Sequence, residues 1–352
     1  MNTILTILLL MIILGLIITI HEFGHFIAAK KSGVYVEEFS IGMGPLLFKR
    51  KPKNSETTYS LRLLPIGGYV AMAEREDKES KIKKDRVLEN KGFFHIFWVL
   101  INGIAFNFLL AIIVCFISGC IYGRPISDTV VRKVDESYPA YDSGLEVGDT
   151  VVSVNGVKVD SSYDFAIEVN GKKQTTDQYV LSVKKTDGSI KEYTIKPRVE
   201  KVDGQDYRLF GISFITSYKK GIGQAFIYSI EGVVDTTTKV FETLVMLIKG
   251  EVSMDNLSGP VGMYSLVDSA KSSGLINILY LLQYLSVNVG IINLLPIPVF
   301  DGGLIFILII EKIIKRKTSD KLKNTLNFVG FGLLVLLMLF VTYNDIIRLV
   351  VK

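Results

Sequence analysis

The sequence predicts a polytopic α-helical membrane protein of about four transmembrane helices with an inserted β domain. Two observations predict this class. The 352 residues are 49% hydrophobic but still 21% charged, which is too apolar for an ordinary soluble protein and too charged for a bundle lying wholly in lipid. Four apolar stretches also reach the roughly 20 residues that a helix needs to cross a bilayer, and they cover residues 3–29, 96–122, 275–300 and 326–351.

The first stretch is interpreted as a retained transmembrane helix. A secretory signal peptide would carry a basic leading region and a small-residue cleavage site, and neither precedes the polar cluster of this stretch. Lysine and arginine concentrate between the first and second stretches and between the third and fourth. Since short basic loops stay in the cytoplasm, both termini are expected outside it, and the long region of about 150 residues between the second and third stretches is expected to be extracytoplasmic.

Residues 124–200 within that region read as short β-strands. The pairs "NG" at 155–156 and "DG" at 187–188 are hairpin turn signals flanked by alternating apolar residues. Together with "GLEVGD" at 144–149, this pattern resembles a PDZ domain, which binds an extended peptide by adding it to a sheet edge. A generic small β domain is the alternative.

A second β element is expected next to the first helix. Residues 35–72 have the pattern of a hairpin with a Lys/Pro/Asn/Ser tip followed by a Pro-Gly-Gly turn. Non-helical backbone at membrane depth is tolerated only where protein or a cavity surrounds it, so a re-entrant hairpin packed against the helices is predicted. Its strand around 57–63 is expected to be an edge on which a substrate pairs, through Thr57, Tyr59 and Leu61.

The first helix carries His21-Glu22-Phe23-Gly24-His25, an H-E-x-x-H pattern. On a helix, His21 and His25 share one face and can reach one ion, with Glu22 beside it. Zinc suits two neutral imidazoles, a third protein ligand and an open position for water, whose proton a carboxylate can take. A structural His–Glu pair bridging helices is the alternative, but ionisable groups inside a membrane are functional candidates by default.

The third ligand is expected from "NLLPIPVFDGG", residues 293–303. Asp301 ends an apolar run in which Pro296, Pro298 and two glycines break the helix, and broken helix in a membrane requires a polar cavity. The orientation given by the basic loops puts Asp301 on the same side as the two histidines. A simple helix N-cap is the alternative role for this aspartate.

These segments together resemble the site-2 protease family, in its bacterial PDZ-containing branch. The quoted motifs, with "YSLRLLPIGGYV" and the "SGPVG" of 258–262, follow the family order along nearly the whole chain. The resemblance implies one zinc ion per chain, held by His21, His25 and Asp301, with Glu22 as catalytic acid/base. It also implies that Asn293, Pro296 and Pro298 lie near the substrate cleft.

The second span departs from the family pattern. Many relatives have G-P-x-x-N there, whereas this chain has Gly103-Ile104-Ala105-Phe106-Asn107, so a straighter helix is expected. Asn107 could face the site or make an interhelical hydrogen bond.

The expected organisation assigns each part of the chain one role. It comprises the first helix (1–32), the hairpin and a cytoplasmic loop (33–95), the second helix (96–123), the PDZ-like domain (124–200), a connecting amphipathic region (201–274), the third transmembrane segment (275–311), a basic loop (312–324) and the fourth helix (325–352).

The predicted function is an intramembrane zinc endopeptidase in the bacterial cytoplasmic membrane. By resemblance, its substrates would be single-pass membrane proteins, either anti-sigma factors or remnant signal peptides, cut as the second step of transmembrane signalling. Other expected partners are a peptide ligand of the PDZ-like domain and membrane lipid. No basic groove with interleaved aromatics indicates nucleic acid. A catalytically silent scaffold and a metal transporter are the alternatives.

Overall fold

The computed structural model describes residues 2–73, 82–170, 177–202, 205–250 and 259–350. The described chain forms two compact units, one of residues 1–121 with 225–352 and one of residues 122–224. The helices are α1 (Asn2–Lys31), α2 (Phe93–Tyr122), α3 (Pro139–Asp142), α4 (Ser162–Asn170), α5 (Ile222–Ile248), α6 (Pro260–Ser272), α7 (Leu275–Leu294), α8 (Asp301–Ile314) and α9 (Asp320–Val350). The strands are β1 (Val36–Arg50), β2 (Thr58–Met72), β3 (Arg124–Val134), β4 (Thr150–Val154), β5 (Val157–Lys158), β6 (Tyr179–Lys184), β7 (Ile190–Ile195), β8 (Arg198–Val202), β9 (Gln205–Leu209) and β10 (Ile212–Lys219).

Four helices in the described residues are long and apolar enough to cross a membrane. They are Thr3–Lys31, Phe93–Tyr122, Leu275–Leu294 and Lys321–Ile347. The coarse prediction, a membrane protein of four long apolar helices with an inserted β domain, is therefore confirmed. The third helix is shorter than the apolar stretch that predicts it, because the prolines after Leu294 end α7 and a new helix starts at Asp301.

Strands β1 and β2 form the predicted hairpin, but each bends and pairs twice. Residues 36–41 pair with 58–61 on one side and with 68–72 on the other, and 59–62 pair also with 46–50. The result is a small sheet of four strand segments in which, among the described residues, 46–50 and 68–72 form the two edges. The expectation that 57–63 is an edge strand is wrong, because Tyr59 lies between Phe39 and Arg50 and Leu61 lies between Ile41 and Phe48.

An ion cluster ties the tip of this hairpin to the end of α1. Glu56 accepts hydrogen bonds from Arg86 Nη2 at 2.7 Å and from Lys30 Nζ at 2.8 Å. The Arg86 hydrogen bond and the Lys30 ammonium lower the pKa of Glu56 to about 2. The carboxylate therefore stays ionised and paired at any pH near neutrality, which fixes the hairpin next to the first helix.

The connecting region predicted for 201–274 divides into a β part and a helical part. Its first part belongs to the β domain, whereas α5 packs on α2 and α7 through a buried cluster that includes Cys115, Tyr228, Val233 and Val287. From α7, Gln283 Nε2 donates to the Gly232 carbonyl at 3.1 Å. The amphipathic helix thus uses its apolar face against two membrane-spanning helices.

The β domain is larger than the predicted 124–200. Its main sheet has the order β10-β3-β4-β6-β7, with β5 on β4, so the domain needs β10, which starts after Glu200, to cover β3. The sheet packs on α4 around a core that includes Val151, Phe165, Tyr179 and Leu181. Strand β10 pairs only with β3 in this order, which makes it an edge of the sheet.

Candidate metal centre

Three side chains predicted as metal ligands meet inside the membrane unit. His21 Nε2 lies 3.0 Å from Asp301 Oδ2, His25 Nε2 lies 3.2 Å from the same oxygen, and the two Nε2 atoms are 3.2 Å apart. Both histidines are buried, at 7% and 6% exposure. Residues 276 positions apart in the chain therefore offer three potential ligand atoms to one point.

The spacing of these atoms fits a tetrahedral zinc site. With zinc–ligand bonds of about 2.0–2.1 Å, neighbouring ligand atoms lie about 3.3 Å apart, close to the 3.0–3.2 Å observed. Although Asp301 Oδ2 is near two ring nitrogens, no donor in the described part of the chain reaches this buried oxygen with hydrogen-bond geometry. A buried carboxylate oxygen without a hydrogen bond is costly, so the donor set fits a cation better than a hydrogen-bonded cluster.

Glu22 lies beside the three atoms rather than among them. Its carboxylate interacts electrostatically with His25, His21 and Asp301, and the backbone N–H of Val70 also lies close to it. Val70 belongs to the 68–72 edge of the hairpin. Glu22 therefore lies close to the three potential ligand atoms and also to the 68–72 edge of the hairpin.

The break between α7 and α8 positions Asp301. Phe300 is the N-cap of α8 and Asp301 is its first residue, so the aspartate is not the cap, and its carboxylate is near the histidines instead. The linker folds closely over the start of α8, because an added Cβ at Gly302 would lie 2.2 Å from the Leu294 carbonyl oxygen and one at Gly303 would lie 2.3 Å from that of Ile297. The two glycines therefore allow the turn that aims Asp301.

Sequence reasoning missed the support that α2 gives to the histidines. His25 Nδ1 donates to the Val99 carbonyl at 2.8 Å, which leaves Nε2 unprotonated for a metal. A Cβ at Gly103 would lie 2.4 Å from His25 Nε2, and a Cβ at Gly24 would lie 2.3 Å from a carbonyl oxygen of α2. Two glycines in buried apolar helices signal a close crossing, and here they bring α2 against the imidazoles.

The other predicted site residues have varied surroundings. Asn107 is fully buried with its amide nitrogen 3.3 Å from His21 Nδ1. Asn293 donates to the Val289 carbonyl within α7, and Pro296 and Pro298 lie in the linker that precedes α8.

Of the three predicted hairpin residues, Tyr59 and Leu61 lie on an inner strand and Thr57 directly precedes it. Thr57 is buried and donates to the Val36 carbonyl at 2.9 Å, Tyr59 packs its ring against Phe26, and Leu61 is exposed. Thr57 therefore holds the hairpin together.

Comparison with known proteins gives this geometry its context. The profile described as Peptidase family M50 matches residues 9–337. The chain belongs to peptidase family M50. A Clostridium acetobutylicum protein named as a zinc metalloprotease is similar, with 35% identity over 95% of both chains. The regulator of sigma-W protease RasP of Bacillus subtilis is 29% identical, and the zinc metalloprotease RasP of Shouchella clausii is 28% identical, each over 98% of this chain and 99% of the relative.

Family membership identifies this M50 peptidase as an intramembrane zinc metalloprotease. The predictions of a membrane-embedded protease and of zinc as its cofactor are confirmed. The alternatives of a silent scaffold and a metal transporter are not favoured, since the family match covers residues 9–337 and the relatives carry protease names.

Proposed function

We propose that His21, His25 and Asp301 bind the zinc ion of this peptidase and that Glu22 is its catalytic acid/base. The observation that carries the proposal is the convergence of the three ligand atoms within 3.0–3.2 Å of one another.

The proposed chemistry follows from the positions of these groups. Bound zinc would activate a water molecule and polarise the scissile carbonyl. Glu22 takes the proton of the attacking water and returns it to the leaving amine nitrogen as the peptide bond breaks. The Val99 carbonyl holds His25 in one ring orientation throughout.

We expect Asp301→Ala to abolish stoichiometric zinc binding. The change removes one of three protein ligands. Loss of a residue that only hydrogen bonds to a ligand lowers metal affinity about 10- to 100-fold, so zinc affinity should fall by more than that here. The measurement is zinc per chain after purification in detergent. Asp345→Ala is the matched control, since Asp345 is another buried aspartate of a membrane helix and accepts from the Gly262 N–H at 2.8 Å. Equal zinc loss in both variants would contradict the ligand assignment.

The substrate is proposed to be a single-pass membrane protein cut within or near its membrane segment. A transmembrane helix hides its peptide bonds, so the segment must unwind and present extended backbone. The 68–72 edge is proposed for strand addition because, among the described residues, it pairs on one side only and lies next to Glu22. This edge replaces the 57–63 strand of the initial prediction. The name of the Bacillus relative, regulator of sigma-W protease, supports anti-sigma factors as substrates, with remnant signal peptides as the second class.

The proposed location is the bacterial cytoplasmic membrane, with both termini and the β domain outside the cytoplasm. The distribution of lysine and arginine supports this orientation. Single cysteines at three exposed positions, Lys53, Asp187 and Lys317, in a chain lacking Cys115 and Cys120, test it. We expect a membrane-impermeant thiol reagent to label only Asp187→Cys in intact cells. Labelling of Lys53→Cys would indicate the opposite orientation.

The β domain is proposed to be PDZ-like and to bind a peptide along β10. A cavity of about 480 Å³ lies beside this edge strand, with Phe165 and Ala166 from α4 and Phe210 and Ile212 among its lining residues. Gly211 turns the chain into β10 with a φ of +79°, a conformation that favours glycine. An edge strand beside a partly apolar cavity is an arrangement that takes an extended peptide and one apolar side chain.

We expect Ala166→Trp to weaken peptide binding at least about tenfold, because the indole would fill the cavity. The measurement is fluorescence anisotropy of a labelled pentapeptide with a C-terminal valine, titrated with the full chain in detergent. Ile167→Trp is the control, since Ile167 is exposed on the same helix and does not line the cavity. Absence of peptide binding by the unmodified chain would contradict this role of the domain.

A further inference from the structure

The two histidines differ in what holds their second ring nitrogen. His25 Nδ1 faces the Val99 carbonyl at 2.8 Å, and because a carbonyl only accepts, the proton must be on Nδ1 and the lone pair on Nε2. His21 Nδ1 instead faces the Asn107 carboxamide, with the amide nitrogen at 3.3 Å. An amide can donate or accept, so the tautomer of His21 depends on which end of Asn107 it meets.

Only one orientation of that amide is compatible with a metal on His21 Nε2. If the NH₂ group faces Nδ1, the ring nitrogen must accept, the proton lies on Nε2, and Nε2 has no lone pair for zinc. If the carbonyl oxygen faces Nδ1, the ring donates there and Nε2 is free. The Asn107 Oδ1 atom is buried without a hydrogen-bond partner among the described residues, so a half-turn of the carboxamide breaks no bond of this oxygen.

The backbone around Asn107 is fixed while the carboxamide can turn. Asn107 is fully buried, and its carbonyl oxygen accepts from Ser286 Oγ of α7 at 2.8 Å. That contact supplies the interhelical hydrogen bond considered as an alternative role, and it uses the backbone rather than the side chain. The side-chain amide is therefore free to serve His21.

We propose that Asn107 is a positioning residue of the zinc site: its side-chain oxygen accepts from His21 Nδ1–H and fixes the tautomer that presents Nε2 to the metal. The inference rests on the proposed ligand set and gives Asn107 a specific role within the site, in place of the less specific substrate-cleft position that its sequence pattern also predicts. The turn exchanges the positions of the amide oxygen and nitrogen, and the new bond from His21 Nδ1–H to the oxygen stabilises it. Outer partners of this kind commonly change metal affinity by about 10- to 100-fold.

The test compares zinc affinities of the full chain in detergent, with zinc as the probe in competition with a chelator of known affinity. Asn107→Ala removes the acceptor and should weaken zinc binding about 10- to 100-fold. Asn107→Asp keeps the shape and supplies a carboxylate acceptor, so its affinity should lie within about threefold of the unmodified chain. Asn102→Ala is the control, because this buried amide of the same helix donates to the Trp98 carbonyl at 2.7 Å, and it should leave zinc affinity unchanged.

Each outcome separates a positioning role from packing. Equal weakening in the Asp and Ala variants would overturn the proposal, as would zinc affinity in Asn107→Ala equal to that of the unmodified chain. Thermal unfolding of the zinc-free variants shows whether the alanine change acts through stability. His21→Ala distinguishes the underlying assignment: if it retains full zinc affinity, the ligand set fails, whereas zinc loss in His21→Ala with none in Asn107→Ala overturns only the role of Asn107.

Discussion

Glu22→Gln should abolish peptide hydrolysis while leaving one zinc per chain. The amide cannot take a proton from the attacking water, and loss of a general base typically slows a reaction about 10²- to 10⁴-fold. Because Glu22 lies beside the three ligand atoms and is not one of them, metal binding should remain within a few-fold of the unmodified chain. Cleavage of a reconstituted single-pass membrane substrate and zinc analysis of the same samples measure both effects.

Glu37→Gln is the matched control for this experiment. Glu37 is an exposed glutamate of β1, so its change removes one negative charge from the hairpin without touching the site, and cleavage should be unchanged. If Glu22→Gln still cleaved at more than about a tenth of the normal rate, another group would have to take the proton. If it lost zinc as well, Glu22 would act as a ligand.

Gly103→Ala should disrupt the zinc site although residue 103 carries no side chain. The added Cβ would lie 2.4 Å from His25 Nε2 and 2.9 Å from His21 Cε1. Ordinary contacts begin near 3.4 Å, so the imidazole or the helix must move by about 1 Å, and a misplacement of that size can cost about 10²-fold in rate. We expect a comparable loss of cleavage together with weaker zinc binding, measured as for Asp301→Ala.

Gly332→Ala separates this steric effect from the general consequences of removing a helical glycine. Nothing lies within 4 Å of the position where its Cβ would be, and alanine favours a helix by up to about 1 kcal/mol relative to glycine. Activity and zinc should be unchanged and thermal stability equal or higher. Normal zinc affinity in Gly103→Ala would contradict this prediction, because it would show that α2 can move away without displacing the histidines.

The convergence of His21, His25 and Asp301 was predictable because the spacing of residues on a helix is local. His21 and His25 must share a face in any helix that contains them, and the prolines before Asp301 had to end α7. The positions of the basic loops then placed Asp301 on the same side of the membrane as the two histidines, although these residues are far apart in the chain. Contacts across helices were not predictable in the same way: nothing in the sequence indicates that the Val99 carbonyl meets His25 or that Gly103 lies under both rings.

The hairpin and the β domain show two further features that the sequence could not predict. A hairpin pattern predicts that two strands pair, but the bends that let 36–41 contact both 58–61 and 68–72 depend on bulges that periodicity does not encode. The β domain extends beyond residue 200 because β10 crosses back to β3. Such long-range pairing is set by the three-dimensional sheet, so turn signals within 124–200 could not reveal it.

The separation of the three proposed ligands along the chain also sets the time at which the enzyme can become active during its synthesis. His21 and His25 leave the ribosome early, whereas Asp301 is made 276 residues after His25. At about 5–20 residues per second, the first helix waits roughly 14–55 s for its third ligand. If the proposed ligand set is right, the growing chain enters the membrane with an incomplete zinc site, and it cannot cleave a peptide bond until Asp301 has been made and inserted.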